Sequence, residues 1–242
     1  MKTSERHHLK DNELADITAA AGDIVQERGK SILLGVVAIV VVAAGIGGFT
    51  AWRNSTESKA HAQLAGALAV EEARVGPPAA FGSAPTGMSF VSEREKSQAA
   101  LTKFKEVADA YPTSDAGLYA RYRQGTTYMA LGAPKSAAEV FQQVLSQGGN
   151  GIYAQMAKLG LAEAQAQNGE FEAAITVFRD LAQRKDGELP VDGLLMRLGR
   201  TQLEAGKAAD AEQTFNKLVA EHPDSSFAAD AKKELGQMKK AS

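Results

Sequence analysis

Residues 199–223 read GRTQLEAGKAADAEQTFNKLVAEHP, and this stretch decides the fold. Gly199 is followed by Gly206, then by Ala211, Phe215 and Pro223. The same residue types return upstream at a fixed step. Phe104, Phe141, Phe178 and Phe215 stand 37 residues apart, and so do Ala100, Ala137, Ala174 and Ala211. Gly125, Ala162, Gly199 and Gly236 keep the step, as do Gly132, Gly169 and Gly206. Self-similarity at one period of this size means a stacked array of a single supersecondary unit.

Each column has a physical reading. A small residue at 125, 162, 199 and 236 lets two helices approach closely. The glycine at 132, 169 and 206 ends the first helix of a pair in a left-handed turn. The alanine at 137, 174 and 211 lies where the second helix crosses the first, and the phenylalanine four residues on fills the gap between pairs. Pro112 and Pro223 each follow a second helix and precede a cap cluster, Thr113-Ser114-Asp115 and Asp224-Ser225-Ser226. Helix pairs are therefore expected over 115–147, 151–185 and 191–221. An earlier pair, 55–74 and 93–110, is split by a Gly/Pro-rich insertion at about 75–91 that Phe81 or Phe90 could dock. A terminal helix over 224–240 carries Lys232, Lys233, Lys239 and Lys240, the polar face that an end of an array needs. The fold class is all-α: an N-terminal transmembrane helix followed by a solenoid of helix pairs.

Upstream lies Ser31–Trp52, a segment without charge or proline between Lys30 and Arg53. As a helix it spans roughly 33 Å, about one hydrocarbon core, and it is apolar all round. It is too long and begins too late for a cleaved signal. Trp52 sits at its far edge, where an amphipathic ring meets the interface. The expected domains are a tail over 1–30 with a short amphipathic helix, the span 31–52 and a repeat domain over 53–242. The lysine and arginine bias favours a cytoplasmic tail, and in a bacterial inner membrane the repeats are then periplasmic.

Composition and motifs exclude much. With a net charge of −2 the chain has no basic field for nucleic acid, and without cysteine it has no disulfide or thiolate site. His61 and His222 are far apart and carry no nucleophile motif. Gly29-Lys30-Ser31 lacks the phosphate-loop glycine, since Ile24 stands at that place. Neither an enzyme nor a metal, cofactor or small-molecule substrate is expected.

The columns resemble the tetratricopeptide repeat. Gly199, Ala211, Phe215 and Pro223 follow its spacing fully, and Gly125, Ala137 and Phe141 follow it with Gly149 at the proline position. The period is three residues longer than the family's unit, and its early aromatic is replaced by Arg121 and Lys158. The resemblance implies repeat packing through Gly125, Ala137, Phe141, Ala162, Ala174, Phe178, Gly199, Ala211 and Phe215. It also implies a concave groove along the first helices, with Tyr119, Tyr122, Thr126, Met129, Met156, Leu159, Glu163, Met196 and Arg200 facing a partner. The whole layout of tail, anchor, exit tryptophan and divergent repeats is similar to the YfgM-like ancillary subunits of the bacterial SecYEG translocon. That resemblance implies protein partners: translocon subunits, secreted polypeptides or chaperones. Tyr111-Pro112-Thr113-Ser114 and His222-Pro223-Asp224-Ser225 are also similar to repeats of periplasmic division and envelope-assembly factors, which implies instead a scaffold with one fixed partner.

Overall fold

In this computed structural model the described residues are 3–76, 88–148, 151–184 and 189–241, with side chains at Lys30 and from Leu33 to Lys240. The middle of the insertion with Phe81, Gly149, and the side chains of the expected tail helix lie outside them. The chain divides into two units, Met1–Ser55 and Thr56–Ser242. The first unit is made by helix α1 (Thr3–Glu71), which runs on into the second. From Leu33 this helix is long and apolar enough to cross a membrane. Its apolar side chains stand exposed, Leu34 by 70% and Trp52 by 65%, where a water-facing helix would carry polar groups.

The second unit is the array. After the last turns of α1 come α2 (Glu93–Ala110), α3 (Asp115–Ala130), α4 (Pro134–Gln147), α5 (Ile152–Gln167), α6 (Phe171–Gln183), α7 (Val191–Glu204), α8 (Ala208–Glu221) and α9 (Ser226–Ala241). The turn glycines explain the pairing. Gly132, Gly169 and Gly206 have φ of +73°, +80° and +75°, a region that costs any residue with a Cβ. At each turn the next residue's N–H reaches back to close the helix: Ala133 to Tyr128 O at 2.9 Å, Glu170 to Gln165 O at 2.8 Å and Lys207 to Gln202 O at 2.8 Å.

The phenylalanine column is the core. Phe104, Phe141 and Phe215 are fully buried and Phe178 nearly so, with Ala137, Ala174 and Ala211 buried beside them. A Cβ on Gly125 would lie 2.6 Å from the Phe141 ring, and one on Gly199 would lie against the Phe215 ring. Phe141 also faces the next pair, because a Cβ on Gly160 would lie 2.5 Å from it. Gly236 differs from its column: nothing lies within 4 Å of a Cβ there, since no second helix follows α9 among the described residues. The expectation of a close approach at Gly236 is therefore corrected.

The insertion also departs from a plain loop at its ends. Strands β1 (Arg74–Val75) and β2 (Ser89–Phe90) pair in parallel, Arg74 with Ser89 and Val75 with Phe90. Gly76 N–H extends the ladder to Phe90 O at 3.0 Å, and Phe90 packs on the Ala100–Phe104 cluster.

Side-chain caps secure the starts of α3 and α9. Ser114 Oγ accepts from Gly117 N–H at 2.9 Å, and Glu57 Oε1 from Ala116 N–H at 3.2 Å. At the other end, Ser225 donates to Asp192 Oδ2 at 2.6 Å and accepts from Phe227 N–H at 3.0 Å, tying α7 to the start of α9. The Ser225 hydroxyl is the main cause that holds the Asp192 carboxyl below the usual carboxylate range; burial opposes it, and Gly193 N–H and His222 assist. A carboxylate with a lowered folded-state pKa stabilises above its unfolded value, near 4, and that contribution is lost as pH falls through the folded value. Ser225→Ala should cost about 1 kcal/mol at neutral pH. It should also flatten the acid limb of a stability–pH profile below about pH 4, as read by urea titrations.

Candidate protein-interaction surface

The first helix of each pair lies beside the first helix of the next, and ion pairs stitch them together. Arg123 of α3 pairs with Glu71 of α1. Arg197 Nε of α7 donates to Glu163 Oε1 of α5 at 2.6 Å. Arg200 of α7 reaches Glu234 at 3.4 Å and Asp230 at 3.8 Å, both on α9. The exposed pairs of α7 contribute little stability each, so their main effect is to set how the helices face one another, whereas Arg123 and Glu71 are half-buried.

The N-terminal part of this face is aromatic. The Tyr119 and Tyr153 rings, from α3 and α5, lie 5.5 Å apart at 45°. Tyr122 is 6.4 Å from Tyr119 and 5.9 Å from Phe141. Arg123 lies between two rings, with its Cζ 5.6 Å from Phe104 and 5.9 Å from Tyr119, and it donates to the Tyr119 hydroxyl at 3.1 Å. Burial, then the charge of Glu163, pushes the Tyr122 hydroxyl pKa up.

Of the groove residues expected from the sequence, Tyr119, Tyr122, Thr126, Met129, Met156, Leu159 and Glu163 are half-buried and Arg200 is exposed. Tyr122 and Met129 pack on the Phe141 cluster and Leu159 on the Phe178 cluster. The Thr126 hydroxyl turns to Arg123 O at 2.9 Å. Glu163 is held by Arg197 rather than free. Met196 is a correction: it is 2% exposed, inside the cluster of Leu195, Ala211 and Phe215, so it is core and offers nothing to a partner.

Sequence reasoning missed Tyr153, Arg123 and Arg197. Tyr153 belongs to no column. Arg123 and Arg197 stand two periods apart with Gly160 midway, a signal that the columns of small residues and aromatics overshadowed. Further along the face, Glu163, Gln167, Asn168, Phe171, Arg197 and Arg200 line an open cleft of about 680 Å³. Among the described residues no three histidines, aspartates or glutamates gather to hold a metal ion.

The tetratricopeptide repeat-like domain family matches residues 25–186, more than half of the chain. The chain belongs to this family. A further tetratricopeptide repeat matches residues 194–225. Among solved structures the array is similar to the nearly identical TPR-like repeats of a protein described as a kinesin light chain from Podosopora anserina. That structure is 16% identical with a TM-score of 0.57, over 76% of this chain and 87% of that one. YrrB, a TPR protein with an unusual peptide-binding site, is 21% identical with a TM-score of 0.47, over 58% of this chain and 68% of its own. These are likenesses of fold. No curated protein matches the chain. The tetratricopeptide repeats make this chain a protein-interaction module.

Proposed function

We propose that this tetratricopeptide protein is a membrane-anchored accessory of the secretion translocon and its periplasmic chaperones, binding polypeptides along its first-helix face. The observation that carries the reading is the half-buried aromatic surface of Tyr119, Tyr122 and Tyr153 beside the exposed Ile152. Aromatic side chains at a surface bring contact area at little cost in ordering, and methionine adapts its shape to varied partners. The family match begins at residue 25, ahead of the apolar segment, so anchor and array belong to one pattern. In this reading residues 31–52 span the inner membrane, the tail is cytoplasmic and the repeats are periplasmic. Tethering then raises the local concentration of the face near the channel.

In-cell crosslinking from Ile152 and Arg200, both exposed, tests the proposal. Translocon subunits together with many secreted polypeptides are the expected products. One stoichiometric envelope-assembly protein would overturn the translocon reading in favour of a scaffold.

A further inference from the structure

We propose that the Tyr119–Tyr153 corner selects a positively charged side chain, so that the segments bound there are basic peptides. The inference rests on the peptide-binding reading above and names the chemistry of its ligand.

The geometry is that of a cation seat. Two half-buried tyrosines from adjacent repeats stand 5.5 Å apart at 45°, with Tyr122 behind them and Ile152, 41% exposed, at their edge. Tyrosine faces attract lysine and arginine through the ring quadrupole. The protein already uses this contact once, with Arg123 5.9 Å from the Tyr119 centroid.

Charge complementarity gives the sign. The arginines along this face are engaged: Arg123 with Glu71, Arg197 with Glu163, and Arg200 with Glu234 and Asp230. Arg121, 8% exposed, is directed inward to Ala108 O and Gln143. The carboxylates beside the tyrosines are different. Asp115, exposed in the first turn of α3, and Glu57, which accepts from Ala116 N–H and meets His61 at 3.3 Å, have no lysine or arginine partner among the described residues. Asp115 stands one helical turn before Tyr119, and both carboxylates act on Tyr153: burial first, then Asp115, Tyr119 and Glu57 push its hydroxyl pKa up. Two carboxylates with no matching cation, next to aromatic faces, leave a negative corner that an incoming lysine or arginine neutralises.

The test uses the full chain in non-ionic detergent and three labelled peptides of equal length, leucine alternating with arginine, glutamine or glutamate, read by fluorescence anisotropy. The arginine peptide should bind about tenfold or more tighter than the glutamine peptide. The glutamate peptide should bind weakest, and the spread should narrow at high salt. The double variant Asp115→Asn with Glu57→Gln keeps both side-chain shapes. It should reduce the arginine preference severalfold and leave the glutamine peptide unchanged. Tyr153→Leu, checked for native thermal unfolding, should reduce it as well. Equal binding of the three peptides, or a preference that survives both variants, overturns the cation seat and leaves peptide binding standing. Failure of all three to bind overturns the peptide-binding reading itself.

Discussion

Phe141→Ala should destabilise the array by about 3–5 kcal/mol. The upper end is expected because the ring sits between Gly125 of its own pair and Gly160 of the next, and neither glycine has a side chain to move into the space. Phe178→Ala, beside the open cleft of about 680 Å³, should cost less, since the space it leaves adjoins solvent and need not remain an empty cavity. Denaturant titrations compare the two. Because Phe141 joins two pairs, its loss should also broaden the transition as the array ceases to unfold as one unit. Equal midpoints for both variants would show that the double glycine seat confers nothing.

Gly160→Ala should be destabilising, although alanine favours helix by about 1 kcal/mol over glycine. A Cβ at 160 would lie 2.5 Å from the Phe141 ring, and buried between two helices that ring has nowhere to go. Overpacking of this kind costs about 1–3 kcal/mol. Placed on Phe141→Ala, the same substitution should reverse sign, because the added methyl enters the vacated space. The double-mutant cycle should therefore show a coupling of about 1–3 kcal/mol. Gly236→Ala is the control. It is exposed with nothing within 4 Å, so it should be neutral or stabilising. Additive effects at 160 and 141 would mean that the helices are not in the contact described.

The turn glycines and phenylalanines were readable because each does a job that one residue type does best, and the job recurs at every step. A left-handed turn favours glycine, so Gly132, Gly169 and Gly206 announce it. The proposed interaction face was less readable. Tyr119 and Tyr122 were found by their place on α3, whereas Tyr153 comes near them only because α3 and α5 lie side by side. Met196 and Tyr122 occupy the same column two periods apart, yet the first is core and the second half-buried. Periodicity names a helical face; it does not say how far the neighbouring helix covers it.

By itself the sequence determined the repeat step, the pairing of helices, the residues of the core and the presence of one segment apolar enough for a membrane. These follow from local conformation and hydrophobic patterning, which the chain carries residue by residue. Tertiary structure alone decided three other things: that Gly160, where Arg123 and Arg197 stand in the flanking repeats, must stay a glycine; that Arg197 and Arg200 are held by carboxylates of different helices; and that Glu57 of α1 reaches the start of α3, where it joins Asp115. Each depends on a distance between helices far apart in the chain, and that distance is set by packing across the array.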